Sequence, residues 1–204
     1  MRVKAWTEVY SKPKNSVEMF RWGATHAPLM ARLLPHHRIL EVGTGTGMLA
    51  ALLSRTNHIT VSLDNQASVL NTAMILFRSV GARVSLVQGN AFNLPFRDGV
   101  FDAAFSQGLL EHFSDADMVS LVREQARVAH HVYVSVPSFF YPHLGSLGPG
   151  LIGNERLLTL SRYQKILGQF NIRANYYSDF KLATFAGWSL PWPNQLLMEV
   201  LLTD

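Results

Sequence analysis

With 204 residues, 48% of them hydrophobic and 16% charged, the chain has the composition of a globular protein and not of a disordered one. The absence of cysteine excludes disulfides, a cysteine nucleophile and any thiolate metal site. The formal net charge of +4 is carried by scattered basic residues such as Arg21, Arg32, Arg38, Arg55, Arg78 and Arg83, so a solvated surface is expected and a nucleic-acid partner is not.

The opening residues, Met1 to Glu8, hold no apolar core of a secretory signal, and no apolar run nears the roughly 18 residues that a membrane helix needs. A soluble, cytoplasmic protein is therefore expected. Ser16 to Leu34 carries apolar residues at helical spacing and reads as one helix closed by Pro35. Arg38 to Val42 reads as a first strand, Gly47 to Ser54 as a helix, and Ile59 to Leu63 as a second strand. Gln66 to Val80 is the next helix, stopped by Gly81. Strands follow at Val84 to Gln88 and Phe101 to Ser106, then a helix from Asp115 to Val128, then a strand from Val132 to Val136. This alternation predicts an α/β fold: a doubly wound, mostly parallel sheet with helices on both faces.

Beyond it, Ser138 to Asn154 reads as a long loop rich in glycine and aromatics, the kind that covers a substrate. Leu160 to Phe170 reads as helical, and Ile172 to Tyr177 and Lys181 to Phe185 as strands. A short apolar helix is expected up to Leu202. The expected organisation is one domain over 1–204, with an N-terminal helical segment (1–36), a cofactor-binding core (37–137) and acceptor-side elements (138–204).

The sharpest local signal is Glu41-Val42-Gly43-Thr44-Gly45-Thr46-Gly47-Met48, a strand running through a glycine-rich turn into a helix. Glycine admits positive φ and lets a ligand approach the main chain, at the carboxyl edge where parallel sheets bind ligands. A tight strand-to-helix turn is the competing reading. The spacing is G-x-G-x-G; a dinucleotide fold would want glycine where Met48 stands, and no P-loop Gly-Lys-Ser/Thr is present. Asp64 ends the second strand, and its carboxylate can take hydrogen bonds from two ribose hydroxyls or cap the next helix. Asn90, just past the third strand, offers both donor and acceptor to an adenine edge, or serves as a turn residue. His112 follows the fourth strand and is a candidate for acceptor positioning or proton removal, or for packing. The pairs His36-His37 and His130-His131 sit on extended segments where neighbours point to opposite faces, so no metal site is expected.

The order of Glu41 to Gly47, Asp64, Gly89-Asn90-Ala91, Leu94-Pro95-Phe96, Phe101-Asp102 and Leu110-Glu111-His112 resembles the class I S-adenosylmethionine-dependent methyltransferases. It is most similar to their small-molecule branch, which includes the ubiquinone and menaquinone methyltransferases. The resemblance is dense from Ile39 to Pro137 and looser beyond. It implies S-adenosylmethionine as cofactor. Gly43, Thr44, Gly45 and Gly47 would pass under its methionine and ribose parts, and Glu41 would help fix its amino group. Asp64 would hold the ribose, Asn65 would flank the adenine, Asn90 and Ala91 would meet the adenine, and Gln107 would lie near the methionine. Tyr10 would fold over the cofactor from the N-terminal segment. Many relatives have an acid where Asn90 stands. The implied partner is a small-molecule acceptor. The alternative is a cofactor-binding protein without turnover that acts through a protein partner, with Trp188 and Trp192 as contact surface.

Overall fold

The computed structural model describes residues 15–140, 155–178, 181–185, 188–191 and 193–201. Two helices, α1 (Ser16–Thr25) and α2 (Ala27–Leu33), stand where one helix is expected from Ser16 to Leu34. The break falls at His26, and Pro28 occupies the start of α2. Proline has no N–H to give to a preceding turn, so it opens a helix more readily than it continues one.

The strand β1 (Arg38–Val42) is buried on both faces beyond its first residue. Next come α3 (Met48–Leu53), β2 (Ile59–Asp64), α4 (Ala67–Val80) and β3 (Val84–Gln88). Gly81 closes α4 in the left-handed conformation, as its position in the sequence implies. Then follow β4 (Phe101–Gln107), a 3-10 turn at Leu110–His112, α5 (Asp115–Val128) and β5 (Ala129–Pro137). Ser114 caps α5 by accepting a hydrogen bond from the Asp117 N–H. The C-terminal part supplies α6 (Leu160–Ile166), β6 (Asn171–Tyr177), β7 (Lys181–Phe185), β8 (Trp188–Pro191) and β9 (Gln195–Leu201).

Seven strands form one sheet in the order β3-β2-β1-β4-β5-β9-β6, and β7 and β8 pair separately. Neighbours from β3 through β5 are parallel. The strand β9 is antiparallel to both β5 and β6. This corrects the expectation of a helix ending at Leu202. Gln195 to Leu201 is a nearly continuous apolar run, and such a run serves a doubly buried strand as well as a helix. The open slot between β5 and β6 decides for the strand, and Leu196, Leu197, Met198 and Val200 are all buried there.

The core lies on both faces. Leu29 and Leu33 of α2 and Leu49 and Leu53 of α3 pack with Ile39, Phe105 and Tyr133 on one side. On the other, Met118, Leu121 and Val122 of α5 and Tyr163 of α6 pack with Val132, Val134, Met198 and Val200. The long β3–β4 connection is held by Arg127, whose guanidinium donates to the carbonyls of Leu94 and Phe96 and to Glu124 and Asp98. Among the described residues no helix is long and apolar enough to cross a membrane.

Candidate functional site

The parallel order β3-β2-β1-β4 puts four carboxyl ends side by side, and the residues after each come together there. Gly43, Gly45 and Gly47 have φ of +84°, +50° and +70°. The turn is tied to the neighbouring strand, since the N–H groups of Gly43 and Thr44 both donate to the Leu63 carbonyl at 2.8 and 3.2 Å. Side chains are excluded by contact as well as by φ: a Cβ on Gly47 would stand 2.7 Å from Phe77 Cζ. A Cβ on Gly43 would stand 3.2 Å from Leu109 Cδ1, which places the turn directly against the segment after β4.

Glu41 lies beneath this turn. Residues i and i+2 of a strand share a face, so its side chain takes the side of Ile39, toward α3. It is buried, and Ser62 Oγ hydrogen-bonds its carboxyl. Ser62 Oγ is also 2.9 Å from Thr44 Oγ1, so Glu41, Ser62 and Thr44 form one polar thread linking β1, β2 and the turn. Burial pushes the Glu41 carboxyl up to about 8, with the hydrogen bond from Ser62 opposing and Asp64 adding to the rise. The carboxyl thus sits under the loop, engaged with Ser62 and the main chain of Ala50.

Asp64 is half-buried at the end of β2. Its Oδ1 accepts the Gln66 N–H at 2.9 Å, which starts α4. Burial raises its pKa, and the main-chain N–H groups of Gln66, Gly45, Thr44 and Asn65 oppose the rise. The carboxylate therefore faces the glycine turn while it also organises the entry to α4. Asn65 is exposed, and its carbonyl accepts from Gln88 Nε2 at 3.1 Å. The Gly89 N–H donates to the Asp64 carbonyl at 3.0 Å, which draws the β3 exit onto the same edge.

Asn90 behaves as a turn residue: its Oδ1 accepts the Phe92 N–H at 2.9 Å and its carbonyl accepts the Asn93 N–H at 3.0 Å. The side-chain oxygen is engaged, so the amide presents Nδ2, a donor, to any ligand on this edge. Ala91 is half-buried behind it. Phe92 is 38% exposed and meets Phe113 edge-on at 5.4 Å, an aromatic wall that no sequence motif marked. Gln107 ends β4, half-buried and paired in register with Ser135.

His112 sits in the 3-10 turn after β4 with only 7% of its side chain exposed. Its Nε2 is 3.8 Å from Glu111 Oε1, and Glu111, to which the sequence assigned no role of its own, is itself buried. A carboxylic acid in an apolar-looking run gives little signal until the fold buries it. Tyr10 and most of the 138–154 loop lie outside the described residues. The loop starts from a fixed point, because Ser138 is buried with its Oγ donating to the Pro193 carbonyl at 2.6 Å. Past it, Phe139, Phe140 and Tyr176 form an exposed aromatic row with ring separations of 5.9 and 5.7 Å. Tyr177 instead belongs to the core, with its hydroxyl 2.7 Å from Ser135 Oγ.

The histidine pairs lie at the opposite, amino edge of the sheet. The rings of His36 and His131 meet across the pairs at 4.6 Å, and His36 Nε2 is 3.1 Å from the Tyr133 hydroxyl. Among the described residues, no group of three or more His, Cys, Asp or Glu side chains is placed to hold a metal ion.

Residues 39–131, the stretch that builds this edge, match the family model described as a methyltransferase domain. This segment is similar to a methyltransferase domain. Over 71 residues the chain is 39% identical to protein-L-isoaspartate O-methyltransferase 2 of Rhodopseudomonas palustris (strain HaA2), covering 34% of this chain and 33% of that protein. Over 94 residues it is 33% identical to demethylmenaquinone methyltransferase of Corynebacterium kroppenstedtii, covering 46% of this chain and 38% of that protein. The matches to these curated relatives thus span well under half of their length. Among solved structures, the fold is similar to a SAM-dependent methyltransferase from Aquifex aeolicus, with a TM-score of 0.70 at 15% identity, covering 97% of this chain and 98% of that one. The chain therefore has a fold shared with that structure, and its glycine turn lies at the carboxyl edge of the sheet.

Proposed function

We propose that the protein transfers a methyl group from S-adenosylmethionine to a small-molecule acceptor. The observation that carries this reading is the convergence of the positive-φ turn Gly43 to Gly47, the Asp64 carboxylate and the Gly89-Asn90 turn on one edge of a methyltransferase domain. The residues fit the cofactor: the turn is held in a positive-φ conformation at the carboxyl edge, with the half-buried Asp64 carboxylate facing it from the end of β2.

In this reading Gly43, Thr44, Gly45 and Gly47 cradle the methionine and ribose, and Glu41 acts from below by fixing Thr44 through Ser62. Asp64 accepts the ribose hydroxyls, with Asn65 beside the adenine. Ala91 meets the ring, and Asn90 offers Nδ2 to a ring nitrogen. Gln107 borders the methionine. Tyr10 covers the cofactor. His112 stands on the acceptor side as positioning group or base. The sulfonium supplies an already activated methyl group, so the chain's task is alignment and exclusion of water. The aromatic row of Phe139, Phe140 and Tyr176 favours an acceptor with an apolar or planar part over a peptide.

Incubation of the purified protein with S-adenosylmethionine and fractionated metabolite extract tests this, with adenosylhomocysteine as readout. Acceptor-dependent formation of adenosylhomocysteine is expected. Tight cofactor binding with no turnover on any fraction would favour a binding protein that works through a partner.

A further inference from the structure

The two N-terminal helices turn apolar side chains outward. On α1, Met19 packs into the cluster of Met48, Ala50 and Phe77, and Gly23 lies so close to Leu52 that a Cβ there would collide with it. These contacts fix the inner side and leave Val17, Phe20 and Ala24, at helical spacing, on the outer one. Val17 is 65% and Phe20 54% exposed. Leu29 and Leu33 fix α2 in the same way, so Pro28 and Ala31 meet solvent, and Leu34 just past its end is 49% exposed. A surface helix ordinarily shows polar residues outward, as α5 does with Asp117, Ser120 and Arg123. Among the described residues from 16 to 34, the exposed charges are Arg21 and Arg32, both basic. Glu18 is half-buried and helps start α1, its Oε2 accepting the Asn15 N–H at 3.1 Å.

The charge distribution decides what covers this face. Scattered as the arginines are, residues 1–34 hold six Lys and Arg against Glu8 and Glu18, so they carry the whole formal excess of +4, and residues 35–204 balance. Three of the five lysines, Lys4, Lys12 and Lys14, precede α1, interleaved with Trp6 and Tyr10. Apolar and aromatic side chains among Lys and Arg suit a lipid interface, where the apolar groups enter the headgroup boundary and the cations meet anionic headgroups. A second copy would set Arg21 against its like in a two-fold contact, and a nucleic acid would use the cations but leave Val17 and Phe20 without a partner. We propose that the outer face of α1, extended by α2, docks on an anionic lipid surface, with Val17 and Phe20 entering the interface and Arg21 on headgroup phosphates. The inference goes beyond methyl transfer and does not depend on it.

The test is co-sedimentation of the full chain with vesicles of phosphatidylcholine alone or equimolar with phosphatidylserine. Binding to the mixed vesicles is expected, falling at high salt and about tenfold weaker on phosphatidylcholine alone. F20S is expected to weaken binding to the mixed vesicles about tenfold and R21Q about fivefold, with circular dichroism unchanged because both side chains are exposed. No binding by the wild type, or equal binding by F20S and the wild type, overturns the proposal. Equal binding of the wild type to both kinds of vesicle overturns it as well. Should F20S fail to fold, A24E decides in its place: a new acid on the outer face is expected to weaken binding about fivefold, and unchanged binding overturns the docking face. Sedimentation velocity without vesicles reads the rival occupant, since a dimer that F20S dissociates would assign the face to a second copy and overturn the lipid.

Discussion

Asp64 is the side chain on which the cofactor reading leans most at the residue scale, because it faces the glycine turn and starts α4 at once. Asp64→Ala is expected to lower affinity for S-adenosylmethionine roughly ten- to a hundredfold, as loss of hydrogen bonds to a charged group costs about 1.5–3 kcal/mol. Calorimetric titration reads this, and circular dichroism checks that the fold persists. Affinity equal to wild type would reduce Asp64 to a cap. Glu41 makes a separate prediction through pH. Its folded pKa, about 8, lies above the ordinary 4.5, so the folded chain holds a proton that the unfolded chain releases. That contribution to stability is full below about 4.5 and is lost as pH climbs through about 8. His36 has the opposite sign: burial and His131 lower its pKa below 6.5, so its contribution is lost as pH falls. Denaturant midpoints measured from pH 5 to 9 should therefore decline on the alkaline side, and Glu41→Gln should flatten that decline. The same slope in the variant would contradict the assignment.

Elements differ in how much of them could be read in advance. The bounds of β1, β3 and α5 coincide with those expected, because charged or turn residues bracket short apolar runs and Asp115 opens α5. The turn at Gly47 was legible for the same local reason. Gly47→Ala is expected to cost about 1–2 kcal/mol from the left-handed backbone alone, and more from the clash with Phe77, seen as a lower thermal midpoint. What was not legible was settled by distant partners. Gln195 to Leu201 has no period that separates helix from strand, and only the slot between β5 and β6 makes it β9. Met198→Ala in that strand is expected to destabilise by about 2–5 kcal/mol in chemical denaturation, as for any fully buried large side chain. A cost below 1 kcal/mol would mean that β9 is not packed there. Within the site, the sequence left Asn90 open between a turn residue and an adenine contact, and the burial of Glu111 was not legible, because hydrogen-bond occupancy and burial are properties of the folded neighbourhood, not of spacing.

Across the whole molecule, the sheet separates two chemistries. The carboxyl edge gathers the bare turn, Asp64 and the Asn90 turn, and the amino edge gathers His36, His131 and Tyr133. The account's central claim is that the first of these edges, and not the second, binds the cofactor. Amide NMR of the protein titrated with S-adenosylhomocysteine tests it most directly. Shifts concentrated at Gly43, Gly45, Asp64, Asn65 and Ala91, with His36 and His131 unmoved, are the predicted result; no binding, or shifts gathered at the amino edge, would contradict it.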